Sequence, residues 1–324
     1  MINVSIAGGT GYTGGELLRL LLNHPQVKID SITSTTSVGV PVTNIHRDLL
    51  GETDLCFTDT VGHPDVIFLC LGHGISRSFL QENAIAESCK IIDLGSDFRN
   101  EPIFGNRQFV FGLCELNKEK IRKATNVANP GCFATSILLA LIPLASINKL
   151  SDAVHIHAIT GSTGAGKKLS ETTHFSYRAS NISIYKPFTH QHLNEIKRTL
   201  VDAGNPLLPE INFVPMRGDF TRGIFASIYM KWDGSMSEAE TIDFYKQFYN
   251  TSPFVFVSDE PISLKEVINT NKGLLHIEFH NGYILITSII DNLLKGASGQ
   301  AVQNMNLMFG LDESTGLKLK GSAF

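Results

Sequence analysis

Short apolar runs alternate with helical patterns through the first half of the chain. Residues 3–7 read as a strand, 14–23 as a helix with Leu17, Leu18, Leu21 and Leu22 on one face, and 27–33 as the next strand, a βαβ unit. A nearly continuous apolar strand at 66–71, a helix at 79–87 and a strand at 90–93 repeat the rhythm. Apolar strands separated by helices predict a parallel sheet covered on both faces, the doubly wound α/β arrangement of Rossmann type. After the apolar segment 133–146 the texture changes, and 154–160, 224–230 and 274–279 alternate with period two, predicting antiparallel strands with one wet face. A helix returns at 300–309, with Ala301, Val302, Met305 and Met308 spaced for one face. The pattern predicts a Rossmann domain over 1–148, with 292–324 packing back on it, and an α+β domain with a mainly antiparallel sheet over 149–291.

The chain has 324 residues, 43% hydrophobic and 18% charged, which excludes a disordered protein. A formal charge of -4 without a basic run gives no general attraction to nucleic acid or anionic lipid, so the expected partner is a small molecule. Five cysteines, at 56, 70, 89, 114 and 132, form no C-x-x-C pair, which points to reduced thiols in a cytosol. The N-terminus enters a strand without a signal-like segment, and the apolar stretch 137–145 is too short to span a bilayer and contains Pro143. A cytoplasmic protein is expected.

Candidate chemistry begins in the loop 8–15, where Gly9, Gly11 and Gly14 satisfy G-x-G-x-x-G between a strand and a helix. Such a loop turns tightly, lets the backbone approach a pyrophosphate and aims a helix N-terminus at its charge, so Gly8, Thr10, Gly11, Tyr12, Thr13 and Gly14 are expected to bind a dinucleotide. At the end of the second strand, Thr33-Ser34-Thr35-Thr36-Ser37 offers no carboxylate to repel a 2′-phosphate, which favours NADP, with Ser34 and Thr35 beside it. In Asn129-Pro130-Gly131-Cys132 a loop turns into an apolar helix, and a thiol at a helix start faces unpaired N–H groups that favour the thiolate.

Two other patterns fail by one residue each. The turn 161–167 fits G-x-x-x-x-G-K, but Lys168 stands where a hydroxyl should hold magnesium, leaving at most an anion-binding turn around Ser162 and Gly164. No tyrosine precedes a lysine by four residues, so short-chain dehydrogenase chemistry is excluded. His155 and His157 share a strand face without a third ligand at recognisable spacing, so no metal site is expected. His190 and His192 stand in a loop at a helix start, where general acid–base work is possible.

These segments, with His73-Gly74-Ile75-Ser76, the stretch 92–99 and the tail 291–311, resemble the N-acetyl-γ-glutamyl-phosphate reductases over nearly the whole chain. The resemblance implies reduction of an acyl phosphate by NADPH in arginine biosynthesis, by a homodimer or homotetramer. It implies that Cys132 is the nucleophile, that His190 or His192 is the acid–base residue with His190 favoured, and that Arg99 with Ser96 is a clamp for the substrate phosphate. Asn129, Ser162 and Gly164 would also meet substrate, and Asn292 would lie near the nicotinamide. The chain departs from the family at Thr35, where a basic residue is common, and at Gln191 and Leu193-Asn194, which replace Arg and Thr-Pro. The alternatives are an aspartate-semialdehyde dehydrogenase and a non-catalytic NADP-sensing protein.

Overall fold

In a computed structural model, which describes residues 1–322, the chain divides into two compact units, Met1–Pro130 with Ala297–Lys318, and a second beginning at Gly131 and running to Gly296, with 319–322. The first unit carries β1 (Ile2–Ala7), α1 (Tyr12–Leu22), β2 (Val27–Thr33), α2 (Val42–Ile45), β3 (Val66–Leu69), α3 (Ser76–Glu82), β4 (Lys90–Asp93), β5 (Ile103–Phe104), β6 (Arg107–Phe111), α4 (Cys114–Arg122) and β7 (Asn126–Ala128). Its sheet runs β2-β1-β3-β4-β7-β6-β5 and is parallel except for the β5–β6 hairpin. All four residues of β3 are fully buried, which is why its apolar run shows no alternation. The chain leaves β1 for β2 on one side and reaches β3 on the other, so the glycine loop stands at the point where strand order reverses. Helix α1 starts two residues before the expected position, inside that loop, because Gly11 serves as its N-cap.

The second unit carries α5 (Cys132–Ser146), β8 (Val154–Thr160), α6 (Phe175–Arg178), β9 (Ser183–Ile184), α7 (His192–Asp202), β10 (Ile211–Arg217), β11 (Ile224–Lys231), α8 (Glu238–Phe248), β12 (Val255–Ser258), β13 (Gly273–His280) and β14 (Tyr283–Ile290). Its sheet, β12-β13-β14-β11-β8-β10-β9, is mostly antiparallel, with parallel pairs β8–β10 and β12–β13. Helix α5 packs against β11, β13 and β14 and against α7 and α8, so every residue from Phe133 to Ala145 is buried. Ser136 and Ser288 exchange hydrogen bonds where helix and sheet meet. Pro143 supplies no N–H for the Leu139 carbonyl, which instead accepts from Tyr249 Oη at 2.5 Å, while Tyr245 Oη donates to Ala140 O at 2.6 Å. Two buried phenols thus let a proline sit inside a core helix. The boundary expected at 148/149 differs from this division by the length of α5, whose apolar surface is buried by the second sheet and its helices.

Helix α9 (Gly299–Met308) belongs to the first unit, with α1, α4 and β4 around it. The expectation of a single apolar face fails here, because all ten residues are buried. Three of its amides are matched individually: Asn304 Nδ2 donates to Gly112 O and Asn129 Oδ1, Gln303 Nε2 to Glu313 Oε2, and Asn306 Nδ2 to the Glu313 and Thr315 carbonyls. Such bonds offset the cost of burying these amides. Among the described residues no helix is long and apolar enough to cross a membrane.

Candidate active site

Cys132 is the first residue of α5 and is half-buried. Gly131, its N-cap, is extended (φ -70°, ψ 153°), and the first turn holds no acidic residue, so the N–H groups that lack acceptors within the helix face the thiol as positive charge. Gly296 lies so close that a side chain there would stand 2.9 Å from Cys132 Cβ. Other cysteines sit differently: burial pushes the Cys89 thiol up to about 11 and Cys70 further still, while Cys114, also at a helix start, is buried and donates to Asn304 Oδ1 at 3.1 Å.

His190 and His192 stand at the start of α7, both buried, with rings 4.6 Å apart. The His192 N–H donates to His190 Nδ1 at 3.2 Å, which places the neutral His190 proton on Nε2. The His190 ring also packs edge-on against Phe133, Phe213 and Tyr185. His192 Nε2 is 3.8 Å from Glu195 Oε1, and Glu195 Oε2 accepts the Gly131 N–H at 3.1 Å. Glu195 therefore ties the histidine's helix to the residue before the sulfur. Glu195 carries no motif of its own, and the only local signal for it is His192-x-x-Glu195, which places both side chains on one helix face. His155 and His157 lie instead against Tyr229 on the sheet face away from α5, with ring separations of 5.1 and 6.2 Å.

In the first unit the glycine loop has the form a dinucleotide requires. Gly8 has φ 84°, and a side chain on Gly14 would stand 2.8 Å from Gly9 Cα, so these two are needed for the turn itself. Gly11 meets nothing within 4 Å, and α1 behind it has neither a capping side chain nor an acid in its first turn. A helix end of that kind suits a pyrophosphate. Thr10, Tyr12 and Thr13 belong to the same loop and helix start, and the Thr13 carbonyl accepts from Ser298 Oγ. Ser34 Oγ accepts the Thr36 and Ser37 N–H groups at 3.2 Å each, closing the turn after β2 with Thr35 exposed.

The remaining candidates fall in both units. Asn129 is fastened by its amide to Ala297 O and Asn304, and its carbonyl accepts Arg99 Nε at 2.9 Å. Arg99, buried, also donates to Leu94 O, and its N–H bonds the Ser96 carbonyl. These residues fix the end of β7 within the first unit. Asn292 accepts the Gly223 N–H at 2.7 Å and donates to Thr163 Oγ1 at 3.0 Å, both in the second unit. The turn holding Ser162 and Gly164 does not form the expected anion cradle: the Ser162, Thr163, Gly164 and Gly166 N–H groups donate to carbonyls of Phe220, Thr221, Gly161 and Thr163.

Asp93, in the stretch 92–99, is fully buried at the end of β4. Its Oδ1 accepts from Ser76 Oγ and the Gly95 N–H, whereas Oδ2 has no hydrogen-bond partner among the described residues. Burial pushes its carboxyl up to about 6, the two donors opposing. The folded pKa therefore exceeds the unfolded one, so stability from this group is present at low pH and is lost as pH rises through about 6. The stability of Asp93→Asn relative to wild type is expected to be about 1 kcal/mol greater at pH 8 than at pH 5, measured by urea unfolding. A difference independent of pH would count against the shifted carboxyl.

This architecture and cysteine-centred site define a semialdehyde dehydrogenase: the NAD binding domain of that class matches residues 3–124 and its dimerisation domain residues 132–292. Aspartate semialdehyde dehydrogenase II from Vibrio cholerae shares the fold, with a TM-score of 0.71 over 96% of this chain and 99% of its own at 16% identity. The aspartate semialdehyde dehydrogenase with NADP from Candida albicans gives 0.70 over 95% and 98% at 13% identity. Identity at that level speaks for fold alone. N-acetyl-γ-glutamyl-phosphate reductases from Flavobacterium johnsoniae, Christiangramia forsetii and Bacteroides thetaiotaomicron are 54%, 51% and 51% identical, each alignment covering 100% of both chains. The chain belongs to the N-acetyl-γ-glutamyl-phosphate reductase family, as its resemblance implied.

Proposed function

We propose that this chain reduces N-acetyl-γ-glutamyl phosphate to N-acetylglutamate 5-semialdehyde and phosphate in arginine biosynthesis, through a thioester on Cys132. The observation that carries the reading is Cys132 opening α5, with Glu195 bridging the preceding N–H and His192. His192 takes the thiol proton, the thiolate attacks the acyl carbonyl, and His192 returns the proton to the departing phosphate. The first N–H groups of α5 face the oxyanion of each tetrahedral stage. NADPH, for which the glycine loop is suited and which no carboxylate after β2 repels, supplies the hydride when bound. Expulsion of the thiolate then releases aldehyde.

His192 rather than His190 fits the proton-transfer role. Its Nε2 is the atom that a side chain on Gly131 would strike first, whereas His190 Nδ1 already accepts a backbone N–H. Ser96, Arg99, Asn129, Ser162 and Gly164 as substrate contacts, and Asn292 as a neighbour of the nicotinamide, are supported by the family resemblance alone. A homodimer or homotetramer, joined through the sheet face that carries His155 and Tyr229, fits the match to a dimerisation domain. Five cysteines that form no disulfide among the described residues support a cytoplasmic setting.

The test is the reverse reaction: N-acetylglutamate semialdehyde, phosphate and NADP, followed by nicotinamide absorbance. Phosphate-dependent reduction of NADP is expected, with a specificity constant above that for aspartate semialdehyde. Preference for aspartate semialdehyde would overturn the substrate; no turnover of either would overturn the enzyme.

A further inference from the structure

On β10 the alternate residues Ile211, Phe213, Pro215 and Arg217 share one face. Phe213 places that face against the catalytic helices, its ring 5.2 Å from Phe133 and 5.5 Å from His190. Two positions further along, about 7 Å at strand spacing, the same face carries Arg217. Its guanidinium lies 4.7 Å from the centre of the Tyr185 ring, which is itself 5.7 Å from the His190 ring. Burial first, and the Cys132 charge second, push the Tyr185 phenol up, opposed by the Arg217 guanidinium, which hydrogen-bonds it. Contacts thus lead from Phe133 through His190 and Tyr185 to a cation, all within the second unit.

That cation lacks a counter-ion. Among the described residues no carboxylate lies within ion-pair distance of Arg217, and its buried Nε has no acceptor. Arg178, 7% exposed, stands behind it, with Nη1 donating to the Arg217 carbonyl at 2.7 Å, Nη2 donating to Ser183 Oγ at 3.0 Å, and Nε likewise without acceptor. Asp219, two residues on, accepts the Ser180 N–H at 2.6 Å and pairs with neither guanidinium. A buried guanidinium beside a half-buried one whose Nε is out of reach of water, neither paired with an anion, is costly, and a ligand that brings the anion removes the cost.

We propose that Arg217, positioned by Arg178, binds a carboxylate of the substrate remote from the carbonyl that reacts at Cys132. The inference deepens the reading of the same site and rests on it. Two parts of such a substrate could present that carboxylate: the α-carboxylate of the glutamyl moiety, or the end of an N-acyl group such as succinyl. The chemistry of recognition is the same in both.

The experiment measures KM and kcat in the reverse direction for wild type, Arg217→Gln and Arg217→Lys. Substrates are N-acetylglutamate semialdehyde, its α-carboxamide and N-succinylglutamate semialdehyde. Arg217→Gln is expected to raise KM about thirtyfold for the substrate whose carboxylate it meets, with kcat within a few-fold, and Arg217→Lys to recover part of the loss. A loss on both acylated semialdehydes, absent from the carboxamide, assigns the α-carboxylate. A loss confined to the succinyl compound assigns the acyl group. KM within twofold of wild type on all three, or equal losses in kcat for Gln and Lys with a lowered Tm, overturns the subsite. If wild type turns over no substrate, the enzymatic reading has failed, and protection of Cys132 from iodoacetamide by N-acetylglutamate and N-succinylglutamate decides the subsite. Protection by either that is lost in Arg217→Gln supports it, and protection that is absent or unchanged overturns it.

Discussion

Cys132→Ser is expected to lower turnover by at least about a thousandfold while leaving NADPH affinity at the wild-type value, because only the covalent step is removed. The hydroxyl has nearly the size of the thiol but does not ionise near neutral pH, so the helix end has no anion to stabilise. The glycine loop belongs to the other unit. Cys70→Ser, Cys89→Ser and Cys114→Ser are the controls, since burial raises the first two thiols and the third bonds Asn304. Single-turnover absorbance at the nicotinamide band, together with titration of NADPH fluorescence, checks both halves. Hydride loss at the wild-type rate in Cys132→Ser would remove the thioester from the mechanism.

The legible parts of the fold are those where one physical demand acts alone. Strands β3 and β4 are covered on both faces, so their sequences are simply apolar, and β8 and β11 alternate because one face is covered and the other is not. Strand β10 escapes the same reading because of Pro215. In the structure the Phe213 and Pro215 carbonyls accept from Phe188 and Tyr185, so these residues turn their backbones away from β8, and the missing N–H of Pro215 breaks no ladder bond. Helix α5 is apolar all round and says nothing by itself about which sheet will bury it.

The candidate site divides in the same manner. A cysteine after Pro-Gly at a helix start is visible because local backbone chemistry makes it so. Asn129 and Asn292 look chemical in the sequence, yet their amides hold backbone segments together. Glu195 and Arg217 pass unnoticed because their significance comes from partners 64 residues away in the first case and from the lack of a counter-ion in the second. Neither fact has a local sequence signal.

Gly131→Ala is expected to lower kcat by about a hundredfold or more, the scale of a reacting group displaced by roughly 1 Å. The backbone itself accepts alanine, since Gly131 is extended at φ -70°. Space is what fails: the added methyl would stand 2.7 Å from Glu195 Oε1 and 2.5 Å from His192 Cε1, and both side chains are buried. Either His192 moves or the start of α5 moves, and each separates the proton carrier from the sulfur. Gly11 supplies the comparison, because it is also the N-cap of a helix, at φ -78° and ψ 175°, and a methyl there meets nothing within 4 Å. Gly11→Ala should therefore leave Tm and the rate of Cys132 alkylation by iodoacetamide unchanged, whatever it does to cofactor affinity. Gly131→Ala should change the alkylation rate and kcat together while NADPH binds as before. Retention of kcat within threefold in Gly131→Ala would mean that the packing of His192 and Glu195 against residue 131 has no part in placing the nucleophile.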